Sequence, residues 1–471
     1  MTQILTTPDI GFLTCRLAVT LIVVLHVLRT KHDTSAAVGW IGFCCFMPFT
    51  GAVLYTMFGI NRVRRRAQRL VLEHRWPGRD RLMEHRHAVE GRYAPLASML
   101  SRLTERPLLG GNTIACLHNG EGIYPQMIAA IDAAQNSVLL CSYIFRADEV
   151  GQRFVAALKR ARARGVEVRV LIDGIGSGYF YSGIARALSR AGIRHARFMH
   201  SFLPWRMPFI NLRNHRKILV TDGAVGFLGG VNIGAENLLT GAARKRVADT
   251  HFALRGPVVQ QLTEAFARDW SFTVGEELEG SKYFPEASAE GDVPLRIVTA
   301  GPDDDLEKIE YAILQALTLA QHHVRIMTPY FLPGERLTTE ICLAALRGVK
   351  VDIVIPKRGN HRIIDYARDA SLGPFLQAGC AIWLAKPPFN HAKLLVCDST
   401  WCFVGSSNMD LRSLRLNFEI NLEAYDARLA ESLAHFIDSH KANRLTTAYL
   451  KSIPFLKRVR NAAIRLLTPY L

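Results

Sequence analysis

The hydrophobic pattern divides the chain into an apolar N-terminal region and a longer region in which apolar strands alternate with amphipathic helices. Residues 36–60 contain no charged side chain over 25 positions, which is long enough to cross a bilayer. Residues 10–28 form a weaker apolar run, because Arg16 lies near its start and His26 near its end. The pattern predicts a two-helix membrane hairpin, and the alternative is a first helix that lies at the membrane interface.

Basic side chains beside the second apolar run predict how the hairpin is oriented. The loop between the two runs contains only Arg29 and Lys31. The second run is followed by a cluster of arginines, which are Arg62, Arg64, Arg65, Arg66 and Arg69. The positive-inside rule therefore predicts that the chain after residue 61 is cytoplasmic. The same arginines are also suited to contact anionic headgroups, and the two roles are compatible.

Beyond the N-terminal region, the chain repeats one pattern of helices and strands. Near residue 128 and again near residue 309, an amphipathic helix precedes an apolar strand, a second helix with basic residues and another β-branched strand. Gly165 and Gly348 end the second helix of the two copies. This alternation predicts an α/β fold with two duplicated domains related by a pseudo-twofold axis, and a site where their like faces meet.

Shifts in composition predict five segments along the chain. A basic, His-rich stretch follows the membrane region, and an acidic stretch with Gly, Pro and Ser separates the two domains. The segments are a membrane hairpin with its Arg-rich flank (1–69), a basic linker (70–110), a first domain (111–274), a linker (275–292) and a second domain with a basic amphipathic C-terminus (293–471).

Two further segments combine apolar and basic side chains in a way that suits a membrane surface. Residues 201–212 contain three aromatic side chains and a cation, namely Phe202, Trp205, Phe209 and Arg206. Residues 449–471 alternate apolar side chains with Lys451, Lys457, Arg458, Arg460 and Arg465. For this C-terminal segment, a helix packed on the second domain is an equally supported alternative.

The overall charge narrows the class of partner. The chain has 58 Lys and Arg against 41 Asp and Glu, a formal net charge of +17. Such an excess suits an anionic partner, either nucleic acid or an anionic lipid surface. The predicted transmembrane segment favours the membrane surface, and no nucleic acid is expected.

A polar motif occurs once in each half, within segments that otherwise have the pattern of buried strands. Residues 213–232 are RNHRKILVTDGAVGFLGGVN and residues 389–408 are FNHAKLLVCDSTWCFVGSSN. Residues i and i+2 of a strand share a face, so each His and its Lys point to the same side. Two copies in register are poorly explained by unrelated core histidines. The matching positions are His215, Lys217, Asp222 and Asn232 in the first copy and His391, Lys393, Asp398 and Asn408 in the second.

These residue types suit phosphoryl chemistry. Lysines and asparagine amides hold the non-bridging oxygens of a phosphate. One imidazole can attack phosphorus, while the other protonates the leaving oxygen and later deprotonates the acceptor. Because lysine supplies the positive charge, neither a metal nor another cofactor is expected. One position differs, since Gly230 stands where the second copy has Ser406, so a hydroxyl donor exists on one side only.

Each motif is followed by a carboxylate in an alternating strand. Asp249 follows the first motif and Glu419 follows the second, at 17 residues after Asn232 and 11 after Asn408. A buried carboxylate needs a partner, and an imidazole nucleophile needs its other nitrogen held. We therefore expect Asp249 and Glu419 to orient the histidines, with Glu419 on His391. The alternative is that both carboxylates face water at a sheet edge.

The duplicated H-x-K-x4-D motif followed by G-[GS]-x-N resembles the signature of the phospholipase D superfamily, and more narrowly that of bacterial cardiolipin synthases. SYIFRADEVG, TPYFLPGE and SSNMDLRSLRLNFEINLEAYD also look like catalytic blocks of that family. The resemblance implies two α/β/α sandwich domains. It also implies a multi-pass location in the bacterial inner membrane.

The resemblance implies roles for the motif residues. His215 would be the nucleophile and His391 the general acid and base, with the phosphate bound by Lys217, Lys393, Asn232, Asn408 and Ser406. Asp222 and Asp398 belong to the signature and enter the catalytic set with it, although in the family they more often stabilise the motif. The implied reaction joins two phosphatidylglycerols into cardiolipin and releases glycerol.

Three other functions compete with this one. A phospholipase D-type hydrolase would use the same groups with water as acceptor. A nuclease of the same superfamily is disfavoured by the transmembrane segment. A non-catalytic membrane scaffold is disfavoured because His, Lys and Asn are intact in both motifs.

Overall fold

The computed structural model describes residues 7–31, 34–59, 82–200, 212–240, 245–302 and 305–468. These residues fall into two compact units, one before residue 60 and one after residue 81. The N-terminal unit is helical, and the second unit contains both copies of the polar motif.

The N-terminal unit contains one long helix and a broken one. The long helix is α1 (Thr7–Thr30), and its residues 10–30 are long and apolar enough to cross a membrane. It is the one such helix among the described residues. The second apolar run forms α2 (Thr34–Phe46), α3 (Pro48–Leu54) and a π-helical turn (Tyr55–Gly59).

The expectation of one continuous helix over 36–60 is therefore wrong. Pro48 lacks an N–H and its ring clashes with the preceding turn, so the helix ends at Phe46 and restarts with Pro48 in its first turn. Gly51 lies so close to α2 that a Cβ there would be 2.9 Å from Cys44 Sγ. The run that looked weaker in sequence forms the longer helix, because Arg16 is exposed near its start. The arginines of 62–69 lie outside the described residues.

The described part of the second unit contains nineteen strands, of which fifteen form one sheet and four form two separate pairs, and both halves of the repeat contribute to the sheet. The first half provides β1 (Leu109–His118), β2 (Ser137–Ser142), β3 (Glu167–Asp173), β4 (His195–Phe198), β5 (Ile218–Thr221), β6 (Val225–Gly229), β7 (Val247–Ala248) and β8 (Thr250–Arg255). The second half provides β9 (Val293–Ala300), β10 (His323–Met327), β11 (Phe331–Leu332), β12 (Lys350–Pro356), β13 (Ala381–Ala385), β14 (Phe389–Asn390), β15 (Leu394–Cys397), β16 (Trp401–Gly405), β17 (Met409–Asp410), β18 (Glu419–Tyr425) and β19 (Lys441–Arg444).

The strand order shows the duplication. From the centre outward, the first half runs β1-β8-β6-β5-β2-β3-β4 and the second runs β9-β18-β16-β15-β10-β12-β13-β19. The two series match strand for strand, with β19 added at one edge. They meet where β1 pairs antiparallel with β9. The prediction of two duplicated α/β domains about a pseudo-twofold axis is confirmed.

Helices cover the sheet and enclose two apolar cores. In chain order they are α4 (Ala94–Thr104), α5 (Asn119–Ala133), α6 (Glu149–Ala163), α7 (Gly183–Arg190), α8 (Val258–Val274), α9 (Lys308–Leu319), α10 (Glu335–Leu346), α11 (Arg362–Asp369), α12 (Gly373–Gln377), α13 (Leu411–Arg415), α14 (Ala427–Ser439), α15 (Thr447–Ser452) and α16 (Phe455–Arg465). Short 3₁₀ turns lie at Met83–His85, Gly91–Tyr93 and Ala235–Asn237. Helix α4 lies within the segment expected to be a linker, yet its Leu96 and Leu100 are fully buried in the core of the second half.

Short backbone pairings also connect the two halves beside the motifs. Strand β14 pairs in parallel with β7, so that Asn390 lies opposite Ala248. The equivalent bridge joins Asn214 to Phe418. Each pairing sets the residue before a motif histidine against the residue before a carboxylate, and this register builds the site.

Candidate active site

Two histidines, one from each motif, face each other between the halves. The ring centroids of His215 and His391 are 6.5 Å apart, and their planes lie at 80°. His215 Nδ1 lies 3.0 Å from Glu419 Oε2, and His391 Nδ1 lies 2.8 Å from Asp249 Oδ2. Both carboxylates are buried, so each imidazole is held through Nδ1 and its Nε2 remains for chemistry.

Each carboxylate serves the histidine of the opposite half, so the expected pairing of Glu419 with His391 is wrong. The backbone N–H of His215 donates to the Phe418 carbonyl at 2.9 Å, and that of His391 donates to the Ala248 carbonyl at 2.7 Å. The residue after each carbonyl is the carboxylate, which is thereby placed beside the imidazole. The sequence pattern favours a histidine and a carboxylate from the same half as partners. It does not reveal that each carboxylate reaches the histidine of the other half.

The motif lysines lie buried beside the histidines. Lys217 Nζ donates to the His215 carbonyl at 2.6 Å, and Lys393 Nζ lies 2.8 Å from His391 Nδ1 and donates to the His391 carbonyl. Burial lowers the pKa of Lys217 to about 7 and that of Lys393 to about 8. A phosphate bound between them would favour their charged forms, so the pair is suited to hold an anion.

Burial and charge keep both imidazoles neutral at pH 7. Burial, with Lys217 and Lys393, holds the pKa of His215 well below its usual value. Burial and Lys393 lower the pKa of His391 to about 4. A neutral imidazole has a free lone pair, which a nucleophile or general base requires.

The two carboxylates differ in their affinity for a proton. Burial raises the pKa of Glu419 to about 7, although Lys217 and Ser406 act against it. Burial also acts to raise the pKa of Asp249, but Lys393 and His391 outweigh it and hold that pKa below its usual value. The two histidine–carboxylate pairs are therefore alike in geometry and unlike in acidity.

Ser406 holds a carboxylate instead of facing a phosphate. It is fully buried, its Oγ donates to Glu419 Oε2 at 2.5 Å, and the same oxygen accepts the Ile420 N–H at 2.9 Å. The expected phosphate-binding role of Ser406 is thus corrected. At the matching position, a Cβ on Gly230 would lie 2.3 Å from Asp249 Oδ1. The shorter Asp249 occupies the space that a serine would fill.

The motif asparagines end the strands beside the histidines. Asn232 Oδ1 accepts the Ile144 N–H at 3.1 Å, which leaves its amide hydrogens for an anion. Asn408 is buried and its Nδ2 donates to Ser413 Oγ at 3.1 Å. No described residue hydrogen-bonds Asn408 Oδ1.

The motif aspartates lie at the far end of their strands from the histidines, where they bind backbone N–H groups. Four strand residues separate each from its lysine, and the five steps span about 17 Å. Asp222 accepts three backbone N–H groups at 2.7–2.9 Å, from Gln135, Asn136 and Ser137. Asp398 accepts the equivalent three from Gln321, His322 and His323, and Arg92 donates to it at 2.8 Å. Both lie with positive φ in the turn that joins the two strands of their motif hairpin, and they tie that turn to the chain that enters β2 or β10.

Three residues near the site were not singled out in the sequence. Tyr143 packs edge-on against His215 with ring centroids 4.9 Å apart, and Tyr330 lies 6.0 Å from His391. His251 is buried beside the site, and no described residue hydrogen-bonds either ring nitrogen. Its position two residues after Asp249, on the same face of β8, was the available signal. The segment 201–211, expected to touch lipid, lies outside the described residues.

Arg216, between His215 and Lys217, points to the opposite face of its strand. Its Nε donates to the Glu419 carbonyl at 3.0 Å, and its Nη1 donates to Asp269 Oδ1 at 2.7 Å. The second motif has Ala392 at this position. Arg216 therefore ties the first motif to the strand that carries Glu419.

Comparison with known proteins agrees with this geometry. Residues 127–270 and 313–441 match the family described as cardiolipin synthase, PLD-like domain, and residues 18–59 match the phospholipase D-nuclease N-terminal family. The chain belongs to the family of PLD-like cardiolipin synthases. The expectation of an enzyme of this family is confirmed.

Relatives extend over nearly the whole chain. A cardiolipin synthase of Geobacillus thermodenitrificans is 31% identical, covering 98% of this chain and 94% of that protein. The major cardiolipin synthase of Bacillus subtilis is 30% identical over 96% of this chain and 97% of its own length. Cardiolipin synthase A of Pseudomonas putida is 31% identical over 96% of both chains.

A solved structure shares the fold. Phosphatidylserine synthase of Haemophilus influenzae superposes on 79% of this chain and on 100% of its own, with a TM-score of 0.60 and 15% identity. At that identity the likeness shows the arrangement of the two duplicated domains and nothing about the substrate.

We predict that replacing Asp398 or Asp222 by alanine lowers stability before it affects chemistry. Each substitution leaves three backbone N–H groups without their acceptor, which costs about 2 kcal/mol or more. Thermal unfolding of the purified protein and turnover would be measured together. Asp132→Ala, which removes a surface ion pair with Arg160, is the control and should change stability by less than about 1 kcal/mol. Lost turnover with unchanged unfolding would contradict the structural role.

Proposed function

We propose that the protein joins two phosphatidylglycerols into cardiolipin and releases glycerol, through a covalent phosphatidyl-histidine. The observation that carries this proposal is the convergence of two buried His–carboxylate pairs with two buried lysines between duplicated halves. Relatives named cardiolipin synthase, aligned over nearly the whole chain, support the choice of reaction.

The first half-reaction transfers the phosphatidyl group to the enzyme. His215 Nε2 attacks phosphorus while the glycerol oxygen departs, so a P–N bond forms and a P–O bond breaks. His391, protonated through its pair with Asp249, gives its Nε2 proton to the leaving oxygen. The bound phosphate favours this protonation by adding negative charge to the site. The non-bridging oxygens are held by Lys217, Lys393, Asn232 and Asn408.

The second half-reaction reverses these roles with a new acceptor. A hydroxyl of the second phosphatidylglycerol gives its proton to His391 and attacks phosphorus. The P–N bond to His215 breaks as the new P–O bond forms, which yields cardiolipin and the free enzyme.

The different carboxylates support this division of labour. Phosphorylation of Nε2 leaves a positive imidazole, and Glu419, with a pKa of about 7, can take the Nδ1 proton and neutralise it. Asp249 stays ionised and therefore stabilises the imidazolium of His391, as a general acid needs. If His215 were instead the general acid, its imidazolium would be stabilised by Glu419, which is ionised to a smaller extent than Asp249.

A phospholipase D-type hydrolase remains the alternative, since water could replace the lipid hydroxyl. The burial of the catalytic groups favours transfer, because His215 and His391 are only 7% and 8% exposed. Phosphatidylglycerol is proposed as donor and acceptor on the strength of the named relatives.

Membrane association follows from the same proposal. Helix α1 is suited to cross the bilayer, and its exposed surface includes Leu17, Leu21, Ile22, Leu25 and Leu28. A multi-pass hairpin in the bacterial inner membrane with cytoplasmic catalytic domains is proposed from the basic residues after residue 61.

Turnover of phosphatidylglycerol tests the reaction. The full-length protein, purified in detergent with excess EDTA, should release cardiolipin and glycerol in equal amounts. His215→Asn and His391→Asn should each lower turnover by at least about 10³-fold, because each removes a proton or phosphoryl carrier. His435→Asn changes an exposed histidine and is the matched control. Phosphatidic acid as the main product would indicate the hydrolase, and an active His215→Asn enzyme would contradict the nucleophile.

The pH dependence tests the pairing of Ser406 with Glu419. Below about pH 7 Glu419 gains a proton and no longer supports His215, so kcat should fall as the pH decreases. The Ser406 hydroxyl favours the ionised carboxylate, so Ser406→Ala should raise the pKa of Glu419 and move this acid limb to higher pH. Ser406→Thr keeps the hydroxyl and should restore the original profile. An unchanged profile in Ser406→Ala would refute the positioning role.

A further inference from the structure

Helix α16 contacts the second domain through its polar side. Asn461 is buried and Ile464 is half-buried against the domain. The guanidinium of Arg460 stacks 3.7 Å from the ring centroid of Tyr366 on α11. The predicted packing of this segment on the second domain is therefore confirmed for α16, and its role at a membrane surface stays a prediction.

The opposite side of this segment is apolar and faces outward. At about 100° per residue, Phe455, Val459 and Ala463 lie on the side away from Asn461. The large apolar side chains that remain exposed are Phe455 (68%), Leu456 (80%), Val459 (51%), Leu466 (76%) and Leu467 (49%). A contiguous apolar face of this kind on a folded domain marks an interaction surface.

Cations occupy the other side of α16, which also carries Asn461. At about 100° per residue, Lys457, Arg458 and Arg465 lie within about 60° of Asn461, and Arg460 stacks on Tyr366. The sequence from Ser439 to Leu471 contains no Asp or Glu. A helix with one apolar side and a polar side rich in Lys and Arg is suited to lie in the interface of an anionic bilayer.

We propose that α16 docks the catalytic unit on an anionic bilayer surface, with its apolar face entering the headgroup region beside the active site. This inference rests on the proposed function in one respect, namely that the substrate is an anionic phospholipid. The charge of the segment selects this occupant, because an apolar protein partner would not require four exposed cations on the same helix.

The position of α16 in the fold places this surface near the site. Helix α16 packs on α11, and the N-cap of α11 is His361. The His361 ring lies 6.2 Å from that of Tyr330, which in turn lies 6.0 Å from His391. The docking helix is thus two side-chain contacts and one helix away from the general acid and base.

The first half also exposes aromatic side chains, in the loop that matches the segment before α11. The loop after β3 is the counterpart of the segment between β12 and α11, since β3 and β12 hold matching places in the sheet. It exposes Phe180 (78%) and Tyr181 (63%). Each half therefore exposes apolar side chains on or beside the segment that follows this strand, as two contacts with one bilayer would require.

Photocrosslinking of the full-length protein tests the docking directly. p-Benzoylphenylalanine replaces Leu456 in protein reconstituted into nanodiscs of phosphatidylglycerol and phosphatidylcholine. Irradiation should give a phospholipid adduct at this position. The matched control carries the same residue at Glu431, which is 75% exposed on α14, and should give a much weaker adduct. Arg458→Gln with Arg465→Gln should reduce the adduct in anionic discs and leave it unchanged in discs of phosphatidylcholine alone.

Other outcomes overturn the proposal. An adduct between two chains at position 456 would show that a second copy covers the face. An adduct no stronger than that at position 431 would show that the face is open to solvent. Crosslinking needs no turnover, so an inactive protein that still forms the lipid adduct would refute the proposed reaction and not the docking.

Discussion

The exchange of carboxylates between the halves is the constraint on which the site depends. Backbone bridges from His215 to Phe418 and from His391 to Ala248 fix the register, and the following residues, Glu419 and Asp249, reach the imidazole of the opposite half. Neither half therefore contains a complete histidine–carboxylate pair. Duplication therefore does not simply repeat the motif. Each half supplies the carboxylate that completes the histidine–carboxylate pair of the other half. The sheet is also continuous between the halves, through β1 and β9.

Mutual compensation makes so many buried ionisable groups tolerable. Two lysines, two carboxylates and two neutral histidines lie together in the interior, where any one of them alone would be costly. The carboxylates approximately balance the lysines before substrate binds. A phosphodiester then adds one negative charge, which a protonated His391 balances. Substrate binding and formation of the general acid are thus coupled through the same electrostatic field, and the pKa values belong to the group rather than to single residues.

The sequence revealed the parts of the site that depend on local periodicity, and it failed where tertiary register decides. His215, Lys217, His391 and Lys393 were found because strand spacing places them on one face and the spacing recurs. The expectation that Glu419 orients His391, in its own half, is wrong, since pairing between the halves leaves no local pattern. Ser406 was placed on the phosphate because its neighbours are, although its hydroxyl is used by Glu419. The second apolar run differs from the expected single helix for another reason. A run without charges predicts that the segment can cross a bilayer, but it does not predict that the helix breaks at Pro48.

The choice between transfer and hydrolysis does not lie in the catalytic groups, which serve either acceptor. In the proposed mechanism, it depends on which hydroxyl reaches His391 after the phosphatidyl group has been bound to His215. Both histidines are nearly excluded from solvent, and the exposed apolar side chains of the catalytic unit, Phe180 and Leu456 among them, favour contact with lipid over water. An entrance held against a bilayer would present glycerol headgroups at high local concentration and exclude bulk water. In that arrangement, the position of the opening at the bilayer selects the lipid hydroxyl as acceptor. The catalytic groups themselves need not distinguish it from water.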